Sequence, residues 1–237
     1  MALAQTLLQM QTAASQRAGM ETLTSNTFVT LTECAGYLNY GLTQVYDQLI
    51  AARGQNYYRS VNNFNTVNQQ QLYALPANFY QLISVDVYFG GGNTYPTISA
   101  KKYQEEERNM FSLLPGWTFG TPIFYELNGG NIRLIPVPTN ATQIGLNYVP
   151  AYIPLVNPGD TFDGVSGWEE WAIWYAASVM LAKEESDASF AMARMADIGQ
   201  RIAKLASDRD AGSSMRIRDV SFDGWGGTGF GFGNDSW

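Results

Sequence analysis

Residues 121–138 read TPIFYELNGGNIRLIPVP, and the fold class follows from this stretch. Two runs rich in β-branched and aromatic residues, 123–127 and 131–137, flank the turn Asn128-Gly129-Gly130. Asparagine and glycine tolerate the positive φ angles of tight hairpin turns, so the pattern predicts a β-hairpin. Because the two strands of a hairpin are antiparallel, we expect an antiparallel sheet around it.

A further strand is predicted upstream of the hairpin, at residues 82–89. Its side chains alternate between two faces, with Leu82, Ser84, Asp86 and Tyr88 on one and Ile83, Val85, Val87 and Phe89 on the other. The turn GGGN at 90–93 closes this strand, and Pro96 predicts that the partner strand at 94–100 lies at a sheet edge.

The bounds of the whole β segment follow from the segments predicted within it and before it. Residues 143–154 supply one more strand, and residues 101–111 are predicted to form a short helix. Residues 55–71 are rich in Asn and Gln without a sustained period, which is typical of a long loop or an irregular arm. We therefore assign residues 72–152 to an antiparallel β-sheet or small barrel.

Helical spacing of apolar residues appears on both sides of the β segment. The helix predicted at 2–19 ends at Gly19, and the helix at 30–53 begins with the capping box TLTE at 30–33. Their apolar faces consist of Leu3, Leu7, Met10 and Ala14 in the first, and Cys34, Leu38, Leu42, Val45 and Leu49 in the second.

A third helical segment is predicted at 167–207, after a second capping box, SGWE at 166–169. The polar patch KEESDAS at 183–189 marks a kink or a break into two helices. Its first apolar stripe consists of Trp168, Trp171 or Ala172, Tyr175, Val179 and Ala182, and its second of Ala191, Met195, Ile198, Ile202 and Leu205. The predicted fold class is α+β: a helical bundle with an inserted antiparallel sheet or small barrel, forming a single domain over 1–214.

Composition excludes several kinds of chemistry. The 237-residue chain has no histidine and one cysteine, which removes Ser-His-Asp triads and His- or thiolate-based zinc sites. Its net charge of −7 offers no general attraction to nucleic acid. No run of eighteen apolar residues predicts a transmembrane helix. We expect no catalytic residues, no cofactor and no metal.

Several residues could in principle take part in catalysis or metal binding, but we favour a structural role for each. The run Glu105-Glu106-Glu107 is typical of a solvated helix face, because consecutive carboxylates point in different directions. Asp160 and Asp163 lack the spacing of an EF-hand calcium loop and are predicted to cap their own loop. Cys34 is predicted to be buried, as is most of the aromatic cluster around Trp171.

The C-terminal segment SFDGWGGTGFGFGNDSW, 221–237, combines flexible glycines with large aromatic side chains. An aromatic ring left in water forgoes about 1.5–3 kcal/mol, so the segment either folds back over its own domain or buries its rings in a partner, and we favour the partner. We predict that residues 215–237 form an extended arm, with residues 214–220, SMRIRDV, suited to strand addition. The predicted partner-binding residues are Arg216, Ile217, Arg218, Phe222, Trp225, Phe230, Phe232 and Trp237.

Four segments together carry a family resemblance: LPANFYQLISVDVY (75–88), IRLIPVP (132–138), LNYVPAYIPL (146–155) and GWEEWAIWYAASVMLAKEESD (167–187). Over residues 30–210 the chain resembles the head-to-tail connector, or adaptor, proteins of tailed bacteriophages. Asn78 departs from the acidic residue common at its position in that family, which affects a local turn. The four segments include no catalytic signature.

The resemblance implies a structural virion protein that forms a twelvefold ring. Such a ring attaches to the phage portal protein, extends the DNA channel, and contacts tail or nozzle proteins on its other face. DNA would pass through without sequence-specific binding, and no membrane is involved. The implied location is the head–tail interface of the virion, with assembly in the host cytoplasm. Two alternatives remain from the residues: a tail-associated carbohydrate-binding module, and a carboxylate-based hydrolase.

Overall fold

The computed structural model describes residues 4–20, 23–24, 27–53, 58–89, 97–104, 106, 117, 122–162 and 167–208. These residues form helices and two β-sheets, which confirms the predicted α+β class. The helices are α1 (Leu7–Arg17), α2 (Leu31–Arg53), α3 (Glu169–Lys183) and α4 (Ser189–Asp208). The strands are β1 (Ser60–Asn65), β2 (Leu72–Ala74), β3 (Phe79–Tyr88), β4 (Thr97–Ser99), β5 (Lys101–Lys102), β6 (Phe124–Asn128), β7 (Asn131–Ile135) and β8 (Gln143–Pro150).

The predicted hairpin is present as β6 and β7. Its turn lies at Gly129 and Gly130, and Gly129 has a φ of +57°, which favours glycine. The described strands form two four-stranded sheets, ordered β1-β8-β3-β4 and β2-β7-β6-β5. All neighbours are antiparallel except β5, which pairs parallel with β6. The β segment is therefore two sheets, and β4 lies at an edge as Pro96 predicted.

The two sheets share one apolar core. Alternating residues of β3, β7 and β8 face this core, as expected for sheets that each bury one face. Its buried members are Tyr73, Val85, Val87, Trp117, Ile123, Ile132, Leu134, Ile144, Leu146 and Tyr148. The indole of Trp117 also donates a hydrogen bond to the Pro136 carbonyl at 2.7 Å, so its polar atom is satisfied.

Two predictions for the β segment were wrong. The Asn/Gln-rich region 55–71 contains β1, which pairs with β8 over all six of its residues. Asparagine has a low strand propensity, but a long central strand next to it supplies the pairing that overrides propensity. Lys101 and Lys102, predicted as helical, form β5, while 105 and 107–116 lie outside the described residues.

The alternation predicted for 82–89 is interrupted by a β-bulge. The register of β3 against β8 shifts between Leu82 and Ser84. Leu82 consequently packs on the same core as Val85, while Ile83 faces α2. An extra residue at a bulge moves the following side chains to the other face, which a strict period of two cannot anticipate.

Helix α1 begins at Leu7, later than predicted, behind a capping box whose sequence signature, TLLQ at 6–9, was overlooked. The Thr6 hydroxyl accepts the Gln9 N–H at 3.3 Å, and the Gln9 side chain accepts the Thr6 N–H at 2.9 Å. Gly19 has a φ of +70° and ends the helix as predicted, whereas Leu3 lies outside the described residues.

Helix α2 confirms the predicted apolar stripe in full. The side chains of Cys34, Leu38, Leu42, Val45 and Leu49 are completely buried. The Thr30 hydroxyl accepts the Glu33 N–H at 3.2 Å, so half of the predicted capping box is present. The other half is not, because the Glu33 carboxylate binds Lys183 instead of the Thr30 backbone.

The predicted helix at 167–207 is broken into α3 and α4. Its second capping box was wrong: α3 begins at Glu169, Trp168 makes no side-chain cap, and the Glu169 carboxylate accepts the Gly167 N–H at 2.6 Å. The break follows Lys183, where Glu185 has a φ of +59°. On α4, Ala206 is buried instead of the predicted Leu205.

The helices pack around α3 and carry the second large core of the described chain. Trp168, Trp171 and Ile173 are buried here, as the sequence pattern predicted for the tryptophans. Helix α2 also joins the bundle to the first sheet: Tyr46 and Ile50 pack against Val149 of β8. The Tyr46 hydroxyl donates to the Pro150 carbonyl at 2.7 Å, which ties this contact to the end of β8.

Candidate interaction surfaces

The predicted partner-binding residues all lie outside the described residues, so their role stays a prediction. They are Arg216, Ile217, Arg218, Phe222, Trp225, Phe230, Phe232 and Trp237. The described chain ends with α4 at Asp208, and the predicted arm follows it in sequence.

A large groove lies where α2, the end of β8 and residues 150–162 meet. It encloses about 640 Å³ and is lined mainly by aromatic and proline side chains, including Tyr46, Tyr58, Tyr152 and Phe162. The rings of Tyr46 and Tyr58 lie 4.4 Å apart, and those of Tyr152 and Phe162 lie 6.1 Å apart. This size and lining fit the side chains of a bound protein or a small ligand.

Exposed aliphatic side chains lie beside this groove, whose lining includes one carboxylate, that of Asp160. Ile153 is 76% exposed and Val156 is 77% exposed, although both are aliphatic. The Leu8 N–H donates to the Pro158 carbonyl at 3.1 Å, which places the half-exposed Leu8 beside the same groove. Residues 134–159 contain no Lys, Arg, Asp or Glu. Depletion of charge around exposed apolar side chains is typical of the centre of a protein interface.

Asp160, which lines this groove, caps its own loop, as predicted. Its carboxylate accepts the backbone N–H groups of Val156 at 2.9 Å and Asn157 at 2.8 Å. These bonds favour the ionised form and lower the pKa of Asp160. Asp160 therefore shapes the loop, while Asp163 lies outside the described residues.

A second exposed apolar surface lies where α4 begins. Phe190 is 66% exposed and its ring meets Trp174 edge-on at 5.5 Å. The Arg17 guanidinium lies 4.8 Å from the Trp174 ring centre and pairs with Glu170 at 2.7 Å. Cation–π and ion-pair contacts of this kind hold α1 against α3 and leave the Phe190 ring available to a partner.

A polar network crosses the outer face of the first sheet. Its centre is Asn147, which is buried at 1% exposure. The Asn147 carbonyl oxygen accepts the Arg59 Nε–H at 2.9 Å, and its Nδ2 donates to Ser84 at 2.9 Å and to Asp86 at 2.7 Å. The other Asp86 oxygen accepts the Ser99 hydroxyl at 2.8 Å. A buried amide with every bond satisfied is rigid.

Lys183 connects the end of α3 to the start of α2. Its ammonium donates to the two Glu33 oxygens at 2.7 and 2.8 Å and to the Phe28 carbonyl at 3.0 Å. The hydrogen bond from Lys183 lowers the pKa of Glu33, and a bond from Tyr37 adds to this effect. Burial and the same contact with Glu33 raise the pKa of Tyr37 to about 12.

Replacing Lys183 with methionine should raise the pKa of Glu33 toward its ordinary value of 4.5, because the lysine is the main cause of the lowering. A carboxyl whose folded-state pKa is lowered stabilises the fold above its ordinary pKa, and this stabilisation is lost as the pH falls through the lowered value. We therefore expect the melting temperature of the wild-type chain to decline more steeply below pH 4.5 than that of Lys183→Met.

Thermal unfolding followed by circular dichroism across this pH range measures the difference. Lys101→Met is the matched control, since Lys101 is exposed on β5 and makes no bond to Glu33. Its pH profile should follow that of the wild-type chain. Equal slopes for all three proteins would contradict the assigned role of Lys183.

The described residues offer little reactive chemistry. Cys34 is buried, and burial raises the pKa of its thiol to about 12, so it is not a ready nucleophile. No group of three or more Cys, Asp or Glu side chains in the described ranges could hold a metal ion. None of the helices in the described part of the chain combines the length and apolarity needed to cross a membrane.

A family model for SU10 adaptor protein matches residues 5–218, nearly the whole chain. The chain belongs to the SU10 adaptor protein family. As a member, it is a phage structural adaptor and a virion component that associates with other head or tail components. Membership in an adaptor family indicates a structural role rather than catalysis. No curated protein matches the chain.

Two surfaces of this adaptor were not predicted from its sequence. The groove around Tyr152 was missed, although the uncharged run 134–159 was a usable signal. The Arg59–Asn147 network was missed as well, because its partners lie 88 residues apart and only the β1–β8 pairing brings them together.

Proposed function

We propose that this adaptor forms a twelvefold ring that joins the portal vertex of a phage head to the tail. The ring extends the DNA channel below the portal protein and presents its other face to tail or nozzle proteins. DNA passes without sequence-specific binding. The protein acts at the head–tail interface of the virion and assembles in the host cytoplasm, without a membrane.

The observation that carries this proposal is the family match over residues 5–218. The surface chemistry supports it, since Ile153, Val156 and Phe190 expose apolar area that a ring contact would bury. The net charge of −7 also supports it, because a negatively charged channel lets DNA slide.

The arm is the proposed portal contact. Residues 215–237 follow α4 with only six residues between them, and a chain covers at most about 3.3–3.6 Å per residue when extended. An arm of this length can therefore cross from the adaptor to a neighbouring protein. Residues 1–214 form the proposed single domain, supported by the packing of Tyr46 and Ile50 of α2 on Val149.

A carbohydrate-binding role has one observation in its favour, the tyrosine-lined groove. However, the Tyr46 hydroxyl is bonded to the Pro150 carbonyl and the Tyr152 hydroxyl to Asn39 at 3.1 Å. Both hydroxyls are thus engaged within the protein, and the Asp160 carboxylate in the lining is engaged by the Val156 and Asn157 N–H groups. The adaptor role remains the better supported proposal.

Electron microscopy of the purified chain mixed with the portal protein of the same phage tests the proposal. We expect a ring of density on one face of the portal, with twelvefold symmetry, that is absent from portal alone. The tail side of this ring should remain open to tail proteins. A portal that stays bare at saturating adaptor concentration would contradict the proposal.

A further inference from the structure

The orientation of the Asn147 amide follows from its neighbours. Asp86 carries only acceptor oxygens when ionised, so the atom of Asn147 that lies 2.7 Å from it must be the donor Nδ2. The carbonyl oxygen of Asn147 then faces Arg59 and accepts its Nε–H. Ser84 accepts the second bond of the same Nδ2, while the donor Arg59 and the acceptor Asp86 together fix the orientation of the amide.

This arrangement holds the Arg59 guanidinium by one atom only. Its Nε is bonded to the buried Asn147, whereas no described residue accepts a bond from Nη1 or Nη2. Two other arginines differ: Arg17 faces Glu170 at 2.7 Å and Arg133 faces Glu126 at 3.3 Å. Arg59 therefore presents a positioned two-nitrogen edge to solvent, and such an edge matches the two oxygens of a carboxylate.

The surroundings of Arg59 suit a protein contact. Val61 is 46% exposed and, since it pairs with Asn147 in the ladder, lies on the same face as the network. Strand β1 is at the edge of its sheet, where a neighbouring molecule can approach. An arginine anchored beside exposed apolar surface is typical of the residues that dominate interface energetics.

The charge pattern favours a carboxylate over a DNA phosphate. A surface that tracks DNA places several cations along it, but no other Lys or Arg occurs in the described parts of β1, β3 and β8. The chain itself has 21 acidic and 14 basic residues, so every copy has carboxylates in excess. Glu184 and Glu185 are two that are exposed on the described surface.

We infer that Arg59, held by Asn147, binds a carboxylate side chain of a neighbouring copy and forms a lateral contact of the ring. This inference rests on the proposed ring and adds to it the chemistry of one subunit contact. Asn147, Ser84 and Asp86 act as positioning residues, because they orient Arg59 without touching the neighbouring copy.

The test compares Arg59→Gln and Arg59→Lys with the wild-type chain, and Arg133→Gln is the matched control because Arg133 has its partner within the chain. Self-association is measured by sedimentation over a range of concentrations, and ring formation on portal by electron microscopy. We expect Arg59→Gln to weaken self-association by about 10- to 100-fold. Arg59→Lys should be weakened nearly as much, since an ammonium cannot form the paired bonds, while Arg133→Gln should match the wild-type chain.

The alternative outcomes are distinguishable. Wild-type self-association by Arg59→Gln, or no self-association by the wild-type chain on or off portal, would overturn the inference. Arg59→Gln could lose self-association together with a lowered melting temperature, while Arg59→Lys restores both. That result would mean that Arg59 only stabilises Asn147 within its own subunit, and it would overturn the inference. A lowered affinity for duplex DNA, with normal self-association, would assign it to phosphate. Failure of the wild-type chain to attach to portal concerns the proposed function, because self-association is measured separately.

Discussion

Deletion of residues 215–237 should abolish attachment of the adaptor to the portal while leaving its melting temperature nearly unchanged. The described cores consist of residues from α1 to α4, from the strands and from the segments between them. We expect the arm to add little to the stability of the fold, because its many glycines disfavour a packed helix or strand. Co-sedimentation with portal measures attachment, and circular dichroism measures the fold.

The energetics of the arm indicate how it binds. Ordering its backbone costs about 1–2 kcal/mol per residue, whereas five aromatic rings contribute about 1.5–3 kcal/mol each. Burial of the aromatic side chains alone cannot offset the entropic cost of ordering the whole arm, so backbone hydrogen bonds are also required. Strand addition by residues 214–220, in which Arg216 and Arg218 alternate with Met215 and Ile217, supplies them most simply.

A variant with an arm of unchanged length separates the contribution of the aromatic side chains from that of the chain length. Serine at the five aromatic positions keeps the chain length and every glycine, and we expect it to lose attachment as the deletion does. The substituted positions are Phe222, Trp225, Phe230, Phe232 and Trp237. A truncated chain that melts at a clearly lower temperature would instead show that the arm belongs to the core of its own subunit.

Substitution of Gly41 by leucine should strongly destabilise the helical bundle. A Cβ atom at Gly41 would lie 3.0 Å from the Cα and 3.1 Å from the Cβ of Ala172, and 3.2 Å from the Tyr175 ring. The nearest of these atoms is backbone of α3, so the helices must separate to admit a larger side chain. Overpacking a core in this way costs about 1–3 kcal/mol or more, and leucine is at the upper end of that range.

Gly36→Ala is the control, because Gly36 lies in the same helix but faces open space. It should stabilise the chain by about 0.5–1 kcal/mol, the usual cost of glycine within a helix. Urea unfolding of both variants measures the two effects, which have opposite signs. Equal stability of Gly41→Leu and the wild-type chain would show that α2 and α3 do not cross this closely.

The candidate interaction surfaces were predictable only in part. The arm was predicted because glycine flexibility and aromatic hydrophobicity conflict within one short segment, and it stays a prediction because its residues lie outside the described ranges. The groove around Tyr152 was not, since its walls come from α2 and from residues 150–162, which meet only in the folded chain. Arg59 was overlooked for the same reason, because its significance depends on the buried Asn147.

The sequence by itself determined the elements that depend on neighbouring residues. The stripe from Cys34 to Leu49 and the turn at Gly129 follow from the period of a helix and from the φ angle of a tight turn, both of which are local. Only the tertiary structure decided the strand β1, the bulge before Ser84 and the pairing of Glu33 with Lys183. The physical reason is distance along the chain. Lys183 lies 150 residues from Glu33, and β1 forms its ladder hydrogen bonds with the distant strand β8. In each case the stabilising free energy comes from a partner that neighbouring residues in the sequence do not reveal.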